Sequence, residues 1–314
     1  MRKKKKRVNK IIYLIILLFL AFLASYEPEI YNRLETFVLG KEQIDTTKYE
    51  IPENGSLSVY FIDVGQADSI LISTGSKNML IDAGNNEDGE KLVKYLKSLG
   101  IKKFDYVIGT HAHEDHIGGM DDVIDNFEIE NFYMPDVITT TKTFEDVLDS
   151  LSKKSVKFKT PNINDTFNMD DARFKVLHVG NDKSDLNGTS IVIKLQYGKI
   201  SFMFTADATS DVESKILNED LKSTVLKVAH HGSKYSSTAT FLNKVSPQYA
   251  VIMTGFGNSY GHPHSIVLQK LEKIGAKIYR TDEKGTIIFK TNGESIEIST
   301  VKTDTNGDKK WNMQ

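Results

Sequence analysis

The stretch Thr110-His111-Ala112-His113-Glu114-Asp115-His116-Ile117-Gly118-Gly119 restricts what this chain can fold into more than any other part of it. His111, His113, Asp115 and His116, all of types that bind divalent cations, are packed into one short turn. They follow the apolar run Tyr106-Val107-Ile108, which reads as a buried strand. A strand ends a rigid element, and Gly118-Gly119 behind the cluster let the backbone turn, so several side chains are thrown toward one point. A polar surface turn would explain one histidine there. It does not comfortably explain this cluster once the other histidines are placed.

The 314-residue chain contains no cysteine, so thiolate ligands, disulfides and Cys nucleophiles are excluded together. Any metal is held by imidazole and carboxylate, which points to zinc, manganese or iron rather than a structural Cys-type zinc site. With 39% hydrophobic and 26% charged residues a sizeable core is available, and the net charge of -2 argues against a polycation built to coat nucleic acid.

The N-terminus departs from that average. Residues 1–10 form a basic tip with Arg2, Lys3, Lys4, Lys5, Lys6, Arg7 and Lys10, and Ile11 to Ala24 is apolar apart from the Tyr13 hydroxyl. This pattern predicts a hydrophobic helix over 11–26, read as a retained signal-anchor, with a cleaved signal peptide as the alternative. Basic residues stay cytoplasmic, so the remainder is expected outside, as a single-pass membrane protein or a secreted one. Nucleic-acid binding is the other reading of the lysines.

Residues 27–55 read as a spacer, 56–300 as the structured domain and 301–314 as a polar tail. Short runs rich in Val, Ile and Leu predict strands at Leu57–Ile62, Ser69–Ser73, Met79–Ile81, Phe174–Leu177, Ser190–Leu195, Ile200–Thr205 and Val225–Val228. Helical spacing is expected over Glu87–Leu99, Ile117–Phe127, Thr143–Leu151, Ser210–Leu217 and Ala239–Val245. The alternation predicts a layered α/β fold, two sheets inside and helices outside.

All eight histidines, His111, His113, His116, His178, His230, His231, His262 and His264, follow a strand-like run or lie in the loop after one. Asp207 leaves the Ile200–Thr205 strand as a carboxylate that is costly unless capping a helix, paired or bound to a cation. His262-Pro263-His264 reads either as an extended turn reaching into a cleft or as a plain loop. Ser233, Ser236 and Ser237 are hydrogen-bond donors to phosphate oxygens or simply a polar loop. Neither a Gly-x-Ser-x-Gly elbow nor a P-loop is present, which removes acyl-serine and nucleotide-triphosphatase chemistry.

These residues resemble the metallo-β-lactamase fold superfamily. His-x-His-x-Asp-His at 111–116 matches its signature, Asp82 in Leu80-Ile81-Asp82-Ala83-Gly84 its early structural Asp, Asp207 its bridging carboxylate and His230-His231-Gly232-Ser233 its late histidine. More narrowly, Phe61-Ile62-Asp63-Val64-Gly65-Gln66-Ala67-Asp68, Ala229-His230-His231-Gly232-Ser233 and Tyr260-Gly261-His262-Pro263 resemble the soluble domain of the ComEC/Rec2 competence proteins. Two departures stand out. Asn187-Gly188-Thr189-Ser190 lies where many members place a further histidine, with His178 the nearest substitute, and Ala67 stands where the related proteins usually carry Gly.

The resemblance implies an αββα sandwich, two mixed sheets flanked by helices, and two divalent ions, zinc or manganese. His111 and His113 would hold one, Asp115 and His116 the other, Asp207 would bridge, and either His230 or His231 would complete the second site. Asp115, His231 and His262 are the expected catalytic groups; Asp63, Asp68, Asp82, His178, Asn187, Ser233 and His264 are expected to support the site or touch substrate. The implied activity is phosphodiester hydrolysis by hydroxide attack at a binuclear centre, with nucleic acid as the first substrate to test. Lys222, Lys227, Lys234 and Lys244 would supply a local basic surface for it. A wall-polymer phosphodiesterase such as a phosphorylcholine esterase is the enzymatic rival, and a non-catalytic module binding nucleic acid or wall polymer is the other.

Overall fold

The computed structural model describes residues 55–301. The basic tip, the helix expected over 11–26, nearly all of the 27–55 spacer and the tail from 302 lie outside the described residues. Among the described residues no helix is long and apolar enough to cross a membrane.

The chain runs β1 (Leu57–Phe61), β2 (Ile70–Ser73), β3 (Asn78–Ile81), α1 (Gly89–Ser98), β4 (Lys103–Ile108), α2 (Glu114–Ile117), α3 (Met120–Asn126), β5 (Glu128–Tyr133) and α4 (Lys142–Lys153). Next come β6 (Phe158–Lys159), β7 (Thr166–Met169), β8 (Ala172–His178), β9 (Val192–Tyr197), β10 (Ile200–Phe204), α5 (Ser210–Lys215) and β11 (Val225–Lys227). It closes with α6 (Ala239–Val245), β12 (Tyr249–Ile252), α7 (Ser265–Lys273), β13 (Lys277–Arg280), α8 (Thr281–Lys284), β14 (Thr286–Thr291) and β15 (Ile296–Val301).

Two mixed sheets result, ordered β15-β14-β1-β2-β3-β4-β5-β6 and β13-β12-β11-β10-β9-β8-β7. Each begins as an antiparallel meander and becomes parallel on one side, at β3-β4-β5-β6 and at β10-β11-β12-β13. Period-2 alternation explains the layering. Leu57, Val59 and Phe61 of β1 and Phe202 and Phe204 of β10 meet between the sheets, where Phe289 sets its ring edge-on to both Phe61 and Phe202. Tyr60 and Leu80 face outward beneath Leu92 and Leu96 of α1, while Met203 and Leu226 pack under Phe241 and Leu242 of α6. The αββα architecture is therefore helix, sheet, sheet, helix around three apolar layers.

Three local expectations change. The single helix over Ile117–Phe127 is two, because Gly119 leaves helical geometry (φ -90, ψ 12) and both glycines press on neighbouring backbone. The strand expected from Ser190 starts at Val192, since Asn187–Thr189 forms a 3-10 turn. Strand β5 escapes its pattern because Glu128, Glu130 and Asn131 dilute the apolar signal.

Candidate metal centre

Residues from both sheets meet at one edge, where β3, β4, β10 and β11 end. Asp82 leaves β3, the histidine cluster leaves β4, Asp207 leaves β10 and His230-His231 leave β11. Strand ends hold side chains more precisely than free loops do. The backbone is forced into shape here. Asp82, Ala206, His230 and His231 all adopt left-handed conformations, with φ of 60, 45, 51 and 52 degrees. For residues bearing a Cβ this costs roughly 1–2 kcal/mol apiece, and it persists where the surroundings fix it.

Four ligand atoms converge on the Asp115–His116 side. Those of Asp115, His116, Asp207 and His231 all lie within 4.8 Å of one another. His116 Nε2 is 3.2 Å from Asp207 Oδ1, and His231 Nε2 is 3.1 Å from Asp115 Oδ2 and 3.7 Å from Asp207 Oδ1. His116 Nε2 and Asp207 Oδ1 are buried without a hydrogen-bond partner. Buried polar atoms are normally satisfied, so atoms aimed together and left unpaired fit a cation between them. Of the two late histidines, the structure brings His231 into this group. His230 stands aside, its Nε2 3.6 Å from Asp207 Oδ2 and its Nδ1 unpaired.

On the other side two nitrogens face each other, His111 Nε2 and His113 Nδ1, 3.0 Å apart. No third His, Asp or Glu atom joins them among the described residues. Asn187 brings a buried side-chain oxygen without a partner, and its loop reaches the cluster through Ile191, whose N–H donates to the Thr110 carbonyl. His178 ends β8 at the same edge with its Nδ1 2.9 Å from the Ser190 carbonyl oxygen, bracing that loop, and it joins no cluster of ligand atoms among the described residues.

The ligands are aimed by partners behind them. Asp82 accepts from the Thr110 amide and hydroxyl and lies 2.7 Å from His116 Nδ1, which turns His116 Nε2 toward Asp207. His231 Nδ1 donates to the Met253 carbonyl at 2.9 Å, which leaves Nε2 free to coordinate. The electrostatics describe an edge that draws in positive charge. Burial works against the carboxylate of Asp207, but His116, His231 and His111 overcome it and hold its pKa well below the usual range. Burial likewise opposes charge on His116, yet Asp207, Asp82 and Asp115 lift its pKa well above the ordinary value. Burial, aided by His116, drives His111 well down, so its ring is neutral with a lone pair to give.

Lys227 corrects one expectation. It is no part of a basic surface: the alternation that turns Val225 inward turns Lys227 inward too, and its side chain is fully buried. Its ammonium forms an ion pair with Asp68 and donates to the Ala206 carbonyl at 3.2 Å. Asp68, Asp82 and His116 also cluster like metal ligands. Lys227 already supplies that cluster's cation. Lys234 borders the histidines from the rim, its backbone amide donating to His264 Nδ1 at 3.3 Å.

Of the remaining expected residues, Asp63 serves a turn, accepting from the Gly65 amide at 3.2 Å. Ser233 does the same for the His230-His231 turn, donating its amide to the His230 carbonyl at 2.8 Å. Ser236 is committed to the Ala208 carbonyl. His262 faces the centre, its ring 5.7 Å from that of His230 and 6.3 Å from that of His231. Gln66, unremarked as a site residue in the sequence, fixes it. The Gln66 oxygen accepts from Thr254 Oγ1 and the Gly255 amide, so its NH2 points at His262 Nδ1, 3.4 Å away. Burial, with His231 and His230 beside it, lowers the His262 pKa to about 4. The ring is neutral at pH 7, with its proton on Nε2.

Comparison with known proteins gives one family and a consistent set of relatives. The family described as the Metallo-beta-lactamase superfamily matches residues 62–255. ComE operon protein 3 of Bacillus subtilis is 31% identical over 253 residues, covering 74% of this chain and 33% of that protein. Competence protein ComA of Neisseria gonorrhoeae is 29% identical over 246 residues, covering 76% and 33%. The chain thus spans about a third of the length of these curated relatives. Among solved structures, the metallo-beta-lactamase fold protein YhfI from Bacillus subtilis superposes with a TM-score of 0.53 at 13% identity, covering 75% of this chain and 99% of that one, a likeness of fold.

Proposed function

The chain belongs to the metallo-beta-lactamase superfamily, a metallo-hydrolase family, and from that premise we propose that it cleaves phosphodiester bonds of nucleic acid. One observation carries the reading: ligand atoms of Asp115, His116, Asp207 and His231 converge, and two of them, His116 Nε2 and Asp207 Oδ1, are buried without a hydrogen-bond partner. The competence proteins among its relatives support nucleic acid over other phosphodiesters.

Asp115, His116, Asp207 and His231 would hold one divalent ion, and His111 and His113 with the Asn187 carbonyl a second. Zinc and manganese both suit this nitrogen and oxygen donor set. When bound, such ions supply Lewis-acid activation of water and of the phosphoryl oxygens. The protein's own groups do the rest. Asp82 and the Met253 carbonyl fix the direction of the two imidazoles. His262, neutral and oriented by Gln66, offers its Nε2–H to a phosphoryl oxygen. The asymmetry between the two sides makes the His111–His113 ion the more exchangeable, since an amide oxygen is a weaker ligand than imidazole.

The test is elemental analysis of the purified chain paired with a substrate panel: single- and double-stranded DNA, RNA and a p-nitrophenyl phosphorylcholine ester. Nucleic acid should be cleaved when metal is present. Asp207→Asn and His116→Ala should each lower turnover by at least about a hundredfold, the scale that losing even an outer partner of a metal ligand reaches, with an unchanged circular dichroism spectrum. Undiminished turnover in either variant overturns the proposal. Cleavage of the choline ester alone gives the site to wall polymers, and a chain that takes up no metal is a binding module.

A further inference from the structure

The loop between β12 and α7 carries large rings that the metal centre does not use. Tyr260 is 67% exposed and Phe256, earlier on the same loop, 85% exposed. Such surfaces are ordinary on a floppy loop, but this one is tied. The Asn258 side chain donates to the Gly255 and His262 carbonyls at 2.9 and 2.6 Å, and its oxygen accepts from the His262 amide at 3.0 Å. Tyr260 lies on His262, ring centroids 5.6 Å apart and planes 19 degrees from parallel. His262 in turn lies within 24 degrees of parallel to His231. Three rings therefore form a stepped stack from the metal centre to solvent, and the outermost ring is open.

We propose that Tyr260, backed by His262, is a stacking platform for one unpaired nucleobase of a single-stranded substrate, with Lys234 meeting the neighbouring phosphate. A planar base continues a near-parallel stack, and base–aromatic stacking tolerates any sequence because each base has a π-face. Paired bases are already stacked within a duplex and offer no face, so the platform selects single strands. Charge separates a nucleobase from the other planar or cationic candidates. The Lys234 ammonium lies 5.3 Å from the centroid of the Tyr235 ring, and the Lys234 backbone amide donates to Nδ1 of His264, whose ring is 5.0 Å from His262, so the backbone that carries this cation borders the same rim. A quaternary ammonium headgroup would be repelled there, whereas a phosphate is attracted.

The inference rests on the phosphodiesterase reading only for what lies beside the base, and binding tests it without turnover. The full chain, kept in chelator so that strands survive, is titrated into a fluorescently labelled oligothymidylate and into an abasic strand of equal length. Fluorescence anisotropy should show Tyr260→Ala binding the thymidylate about tenfold more weakly than wild type, with Tyr260→Phe close to wild type. The abasic strand should bind wild type about tenfold more weakly than the thymidylate does, and Tyr260→Ala should add nothing further. The proposal is overturned if Tyr260→Ala binds like wild type, if wild type fails to distinguish the abasic strand, or if phosphorylcholine displaces the thymidylate. Strands that bind with this base dependence in chelator but are never cleaved once zinc or manganese is supplied would sink the hydrolase reading and leave the platform standing. Cleavage without base dependence would do the reverse.

Discussion

At the scale of single residues, Lys227 is the side chain whose role depends most on its surroundings. A lysine between two sheets is tolerated only when paired, and here it joins Asp68 of the β1–β2 connection to the Ala206 carbonyl beside Asp207. It thus ties the first sheet to the second beneath the metal centre. Lys227→Met should destabilise the domain by about 3–5 kcal/mol in urea denaturation, because the buried Asp68 carboxylate loses its ammonium partner and keeps only the longer approaches of His231 Nδ1 at 3.5 Å and His116 Nδ1 at 3.9 Å. Adding Asp68→Asn should recover much of that loss, since removing both charges leaves no uncompensated ion. If the double variant is no more stable than the single one, the pairing argument is wrong. The pairing was not legible: the sequence shows a strand over Val225–Val228 but reads Lys227 as part of a basic surface, and nothing near it announces the distant Asp68.

At the scale of elements, Gly118 and Gly119 decide how the histidine turn sits on the fold. A Cβ on Gly118 would come within 2.2 Å of the Asn86 nitrogen, and one on Gly119 within 2.6 Å of the Ala83 oxygen. The backbone of the cluster is thereby pressed onto the loop that carries Asp82, whose carboxylate orients His116. Gly118→Ala keeps an ordinary helical backbone, so its effect is steric. Urea denaturation should show a loss of about 3 kcal/mol, since backbone has no rotamer with which to yield. Metal uptake should fall with it. A variant within about 1 kcal/mol of wild type would mean that the two loops are not locked together. The sequence shows these glycines as a place to turn; the close approach that requires them is visible only once β3 and β4 lie side by side.

For the whole molecule, two halves supply one centre. Asp115 and His116 belong to the first sheet, Asp207 and His231 to the second, so an ion held by all four stabilises their packing as well as the site. Metal at about a hundred times its Kd should add about 2.7 kcal/mol to stability and raise Tm by several degrees, with chelator reversing the rise. Asp207→Asn should blunt the shift; an equal shift in the variant would place the ion elsewhere. What the sequence determined by itself is the local part: nitrogen and oxygen ligands because cysteine is absent, a cluster at a strand end because His111 to His116 are neighbours, and layered sheets because the apolar periods are short. Only the tertiary structure decided that His231 rather than His230 turns inward, that Lys227 is an internal counter-ion and that Tyr260 caps a stack of rings. Those facts depend on pairs such as Asp115 with His231 and Gln66 with His262, separated by 116 and 196 residues. Spacing along a chain fixes what neighbours can do together, and contacts at such separations exist only after both sheets have closed over one core.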